Sequence, residues 1–180
     1  MPYTRIRAAG LLVVLAAIAA ALGPELTASS SPTAASRIDV PRSEHRGARR
    51  EVTHLDPDLR GALRQAATAA ADDGVQLRVD SGRRSPEHQA RLFREAVAKY
   101  GSEQEAARWV ATPNTSAHVS GDAVDIGPAS AAAWLSEHGA AYGLCQIYGN
   151  EPWHYELRPQ AAEHGCPPMY PDPTHDPRMR

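Results

Sequence analysis

Glycine and proline punctuate the stretch from Asp56 to Leu157 so densely that only short elements fit between them, and most breaks carry a start or stop signal. Asp56 before Pro57 reads as an N-cap and first helical residue, since the aspartate side chain accepts from free amides and proline has no amide to lose. Leu59, Leu63, Ala66 and Ala70 then fall on one helical face, and Gly74 stops the helix. The alternation in "VQLRV", Val75 to Val79, predicts a strand. Ser85-Pro86 opens a second helix with Leu92, Phe93, Ala96 and Tyr100 on its buried side, closed by Gly101. Ser102 with Glu105 fits a capping box for a short third helix, and a polar loop, "TPNTSAH", follows. "DAVDIG", Asp122 to Gly127, is a strand, and Pro128 opens a helix carrying Ala131, Trp134 and Leu135. "YGLCQIY" and "NEPWHYEL" are two more strands joined by a turn at Gly149-Asn150. Helices first and strands late predict an α+β class, a small, mainly antiparallel sheet with helices packed on one side.

The rest of the 180 residues bounds the setting. The chain has room for one domain, and its formal net charge of −2 gives no electrostatic reason to bind nucleic acid or an anionic membrane. Arg5 and Arg7 precede an apolar run from Ala8 to Leu22, which reads as a signal peptide and is short for a spanning helix. The expected organisation is a signal segment over 1–28, possible to 35, then a flexible linker over 29–50 rich in Ser, Thr, Ala, Pro and Arg. A folded domain over 51–166 and a proline-rich tail over 167–180 complete it. An uncleaved N-terminal segment is the one route to a membrane. Export puts Cys145 and Cys166, the only two cysteines, in an oxidising compartment, so a disulfide is expected, with two buried thiols as the alternative. The tail is expected to have no regular elements, and to wrap the domain if Cys166 is tied down or fray if not.

Three segments concentrate chemistry: "SGRRS" (Ser81 to Ser85), "SAHVSGDAVD" (Ser116 to Asp125) and "NEPWHYEL" (Asn150 to Leu157). Val124 and Ile126 flank Asp125 on its strand, so the carboxylate points away from the core they enter. His118 from the preceding loop and His154 from the last strand could join it. Two imidazoles and a carboxylate match a catalytic zinc site, which takes three N/O ligands and keeps one position open. Glu151, three residues before His154, is then available as a general base, provided Pro152 bends the chain so that both side chains reach one site. On spacing alone an unmetallated polar cluster stands as the alternative.

The same segments resemble a known family. "SAHVSGDAVD" is similar to the SxHxxGxAxD signature of the VanY-type zinc D-alanyl-D-alanine carboxypeptidases, "EPWH" (Glu151 to His154) to their ExWH signature, and "SGRRS" to their SGxRS segment. The three occur in family order, and the resemblance spans about Asp56 to Leu157. It implies the small α+β zinc-peptidase fold shared with the hedgehog signalling domain. It implies Zn2+ held by His118, Asp125 and His154, with Glu151 passing a proton from the attacking water to the leaving amine. Arg84 would stabilise the oxyanion, Ser116 would hold the substrate backbone and Trp153 would shape the pocket wall. Alternatives are a helix-start pairing of Arg84 with Glu87, simple core packing for Trp153 and a turn cap for Ser116. Glu156 reads as a structural carboxylate or an orienter of a ligand. The chain departs from the pattern in having Ala117 and Arg83 where relatives often carry acidic and aromatic residues. Arg83 adds a charge beside Arg84, suited to a terminal carboxylate or to solvation. Only "LCQIYGN", Leu144 to Asn150, stands where relatives often have a longer hairpin.

The implied function is a secreted or extracytoplasmic, cell-wall-associated monomer that trims peptidoglycan stem peptides ending in D-alanyl-D-alanine. An L-Ala/D-Glu endopeptidase, a D,D-dipeptidase, and a non-catalytic zinc- or wall-binding module are the other readings. Glu151 argues against the last, since a structural metal site has no use for a base.

Overall fold

The computed structural model describes residue 52 and residues 54–179. The expected signal segment and linker lie outside the described residues. Among the described residues no helix is long and apolar enough to cross a membrane.

Helix α1 (Pro57–Asp72) starts where Asp56 accepts hydrogen bonds from the amides of Asp58 and Leu59, at 2.9 and 3.1 Å. Strand β1 (Arg78–Ser81) follows, then α2 (Pro86–Tyr100), capped by the Ser85 hydroxyl and ended by Gly101 in the left-handed region. The one-turn helix α3 (Glu103–Ala106) is capped by Ser102, whose hydroxyl accepts from the Glu105 amide. Next come the one-turn α4 (Ala117–Ser120), β2 (Ala123–Gly127), α5 (Ala129–His138) and a 3-10 turn over Gly139–Tyr142. Strands β3 (Leu144–Gln146) and β4 (His154–Leu157) and a short α6 (Ala161–His164) complete the order.

The four strands form one antiparallel sheet in the order β1-β2-β4-β3. Helices α1 and α5 cover one face. Leu59, Leu63, Ala66 and Ala70 from α1 meet Val124 and Ile126 of β2, Tyr155 of β4 and Ala131, Trp134 and Leu135 of α5. The alanines let the helices approach the sheet closely, and Trp134 and Tyr155 fill the space this leaves. Both keep their polar ends satisfied, the indole on Asp73 and the phenol on the Ala132 carbonyl.

Three expectations shift. The first strand is not Val75–Val79 but Arg78–Ser81. Its partner β2 ends at Gly127, opposite Arg78, and Pro128 beyond it has no amide to continue the ladder. Val75 and Leu77 still pack on the core, without strand pairing. His118 sits in α4 rather than in an open loop. On α2, Leu92, Phe93 and Tyr100 are only half-buried, while Gln89 is fully buried.

The tail wraps the domain and carries two single 3-10 turns, Pro173–His175 and Pro177–Met179. Cys145 and Cys166 are disulfide-bonded, with Cα atoms 5.5 Å apart. Beyond Cys166, Tyr170 pairs with Tyr148 in a parallel bridge.

Candidate active site

The sheet register does most of the assembly. Asp125 lies directly opposite His154, and Ala123 opposite Glu156. Side chains alternate along a strand, so with Val124 and Tyr155 in the core, Asp125, His154 and Glu156 share the other face. His118 reaches the same point from α4. That helix turns into β2 through Gly121, at φ 93°, where a Cβ would stand 2.9 Å from the His54 carbonyl oxygen, so glycine suits both the conformation and the space.

His118 Nε2 is 3.2 Å from Asp125 Oδ1, and His154 Nδ1 is 3.5 Å from the same oxygen. Two ligands each about 2.1 Å from a tetrahedral centre lie about 3.4 Å apart, so these separations suit a shared cation. The outer ring atoms agree. His118 Nδ1 lies 2.8 Å from the Gly82 carbonyl, which can only accept, so the proton sits there and Nε2 turns a lone pair inward. His154 Nε2 lies 3.2 Å from Glu156 Oε1, so Nδ1 faces the centre. Asp125 Oδ1 is buried and accepts no hydrogen bond among the described residues. One ligand atom from each of the three lies within 4.8 Å of the others. Electron-pair donors gathered this closely around an unsatisfied carboxylate oxygen fit a metal ion, and nitrogen and oxygen donors of this kind suit zinc.

The charges of the three groups depend on one another. Burial alone would lower the His154 pKa, but Asp125 and Glu156 reverse this and raise it to about 9. Burial holds His118 below its ordinary value. Burial opposes ionisation of Asp125 too, yet His118, His154 and Arg84 hold its carboxyl well below the usual range.

Glu151 is buried, with Oε2 3.7 Å from His154 Nδ1. Pro152 brings it there by a different route from a bent strand. Glu151 and Pro152 precede β4 in a turn closed by the His154 amide on the Glu151 carbonyl, at 3.1 Å. Proline's fixed φ suits the second position of such a turn. Burial pushes the Glu151 carboxyl up to about 7, against the pull of His154 and Arg84.

Arg84 is held from three sides. Its Nε donates to the Ser81 hydroxyl at 2.9 Å, Nη1 to Gln89 Oε1 at 3.3 Å and Nη2 to Asp125 Oδ2 at 2.5 Å. Asp125, rather than the Glu87 of the alternative reading, is the carboxylate that pairs with Arg84. Arg84, Gln89, His118, Asp125, Glu151 and His154 border a groove of about 690 Å3 that also includes Ser116 and Trp153. Ser116 makes no capping hydrogen bond, and Trp153 is 43% exposed. The structure does not bring Arg83 to the groove; its side chain is exposed.

The family described as VanY D-alanyl-D-alanine carboxypeptidase matches residues 52–160. The chain belongs to the VanY family. A D-alanyl-D-alanine carboxypeptidase of Enterococcus faecalis (strain ATCC 700802 / V583) is 35% identical over 56% of this chain and 47% of the relative. The chain thus spans about half the length of that curated relative. Among solved structures, VanYB in complex with D-Ala-D-Ala is 31% identical, with a TM-score of 0.57 over 62% of this chain and 74% of that one. A vancomycin-resistance D,D-pentapeptidase VanY variant in complex with Zn(II) is 32% identical, with a TM-score of 0.54 over 57% and 72%. The LD-carboxypeptidase LdcB is 26% identical, with a TM-score of 0.53 over 59% and 61%.

Several members of this VanY-family site escape a sequence reading. Gln89 is buried, receives Arg84 and donates to the Ala111 carbonyl at 2.8 Å. Its polarity on an otherwise apolar helix face is the one signal the sequence offers. Tyr148 tilts against His154 with ring centroids 5.1 Å apart. Pro173 and Met179 of the tail border the groove, and nothing in their local sequence indicates it.

Proposed function

We propose that this chain is an exported zinc peptidase that removes the terminal D-alanine from peptidoglycan stem peptides ending in D-alanyl-D-alanine. The observation that carries the reading is the convergence of His118, Asp125 and His154 around one unsatisfied carboxylate oxygen, with the buried carboxyl of Glu151 beside them. Zinc held by those three residues would supply Lewis-acid polarisation of the scissile carbonyl and of the attacking water.

The protein's own groups would do the rest. Glu151, with a pKa near neutrality, is suited to take a proton from the water and return it to the leaving amine. Arg84 is a fixed guanidinium beside Asp125, suited to the negative charge that develops on the carbonyl oxygen. Ser116 and Trp153, on the groove wall, would hold the peptide backbone and its side chains. Arg5, Arg7 and the apolar run from Ala8 support delivery outside the membrane, where this substrate is met.

A second reading shares the site and changes the bond. The likeness to the LD-carboxypeptidase LdcB supports cleavage of a D-residue from an L-residue. The higher identities to the VanY structures favour the D,D bond. The test offers two defined stem peptides, one ending in D-alanyl-D-alanine and one in an L-residue followed by D-alanine, with and without a chelator, and identifies products by mass. Chelator-sensitive release of D-alanine from the first is expected. Release from the second alone would replace the D,D reading, and release from neither would remove the peptidase reading. Glu151→Gln should retain zinc while turnover falls by about 10²- to 10⁴-fold; undiminished turnover would remove Glu151 from the base role.

A further inference from the structure

The family match ends at residue 160, yet the chain continues into the site. Glu156, whose Oε1 faces the outer nitrogen of His154, is 1% exposed and needs cations around it. Arg158 supplies one hydrogen bond, to Oε2 at 2.9 Å. Arg178 supplies two, Nη1 to Oε2 at 2.6 Å and Nη2 to Oε1 at 3.3 Å. The same guanidinium holds Asp176, which is fully buried and also accepts from the Tyr148 hydroxyl at 3.0 Å.

We propose that Arg178 is a positioning residue: from the C-terminal tail it fixes the Glu156 carboxylate, and through it the ring and tautomer of His154, so that the tail is a working part of the site. The inference rests on the zinc reading above. The physical case is a count of charges. Two buried carboxylates, Glu156 and Asp176, share Arg178. Without it Glu156 keeps only Arg158 and the His154 ring, Asp176 loses its cation, and the repulsion between the two carboxylates is less compensated. A carboxylate free to turn no longer holds His154 Nε2–H, so Nδ1 is less firmly presented to a metal. The tail is anchored for this task. The Cys145–Cys166 disulfide ties its start, the Tyr170 carbonyl accepts from the Gly149 amide at 2.8 Å, and Arg108 donates to Asp172 at 3.0 Å.

The test compares the full chain with Arg178→Ala and Arg178→Lys. Zinc affinity is read by competition with a chromophoric chelator, folding by circular dichroism, and the His154 ring by nitrogen NMR of the zinc-free protein. Arg178→Ala should fold and bind zinc about 10- to 100-fold more weakly, the range seen when an outer-shell partner of a ligand is lost. Arg178→Lys should recover part of that loss. Zinc affinity equal to wild type in Arg178→Ala overturns the proposal. Should that variant fail to fold, Arg178→Lys decides: it keeps the charge without the fork, and unchanged affinity there overturns the proposal equally. If the wild type itself binds no zinc, the functional reading fails. The tail inference is then judged on the ring spectrum, which must change between wild type and Arg178→Ala if Arg178 holds Glu156 against the ring.

Discussion

Arg84 shows how one side chain can serve both geometry and charge. Its guanidinium touches Ser81, Gln89 and Asp125 at once, so the Asp125 oxygen facing the two imidazoles is aimed by a rigid fork on its other oxygen. A lysine keeps the charge but has no planar fork for three partners. Arg84→Lys is expected to lower kcat/KM by about 10- to 100-fold with little change in thermal midpoint, measured on a D-alanyl-D-alanine peptide. The motif "SGRRS" marked Arg84 as chemical, but not its partner. Asp125 lies forty-one positions later, and only the sheet, by pairing Ser81 with Asp125, makes them neighbours. Arg83, equally charged and adjacent, is turned outward, a difference that composition cannot express.

At the scale of elements, capping chemistry was legible because it is local. Asp56-Pro57, Ser85-Pro86 and Ser102 carry their donors and acceptors within a turn, and each helix begins there. Strand limits were less legible because a strand ends where its partner does. Hence β1 starts at Arg78 opposite Gly127, not at Val75. The tail is the clearest case, since its buried Asp172 finds its cation, Arg108, 64 positions away. Its disulfide closes a loop spanning 21 positions, and removing it by a Cys145→Ser/Cys166→Ser pair should cost about 3 kcal/mol, read by chemical denaturation under non-reducing conditions. The carboxyl of Asp172 gives a pH test of the same element. Burial opposes its charge, but hydrogen bonds from Thr174, His175 and Arg108 win and hold its pKa at about 2. A carboxyl depressed on folding stabilises above its unfolded value of about 3.9 and loses that contribution as pH falls toward 2. Stability should therefore drop between about pH 4 and 2, and Asp172→Asn should flatten that drop, as followed by acid denaturation.

For the whole molecule, a site built from α4, β2 and β4 exists only in the folded chain, so a metal that fills it must stabilise the fold. Zinc at about 1,000 times its dissociation constant should raise unfolding free energy by about 4 kcal/mol, and a chelator should reverse the gain in thermal midpoint. No zinc-dependent change in midpoint would count against the metal reading. The sequence by itself determined the starts of α1, α2 and α3, the alternation that turns Asp125 away from Val124 and Ile126, and the residue types of the site, because each depends on contacts within a few positions. The tertiary structure alone decided that Asp125 faces His154 across two strands, that a turn at Pro152 delivers Glu151, and that Arg178 closes on Glu156. Those outcomes depend on strand register and on pairing buried charges across long stretches of chain, and nothing in the local order of residues encodes the partner.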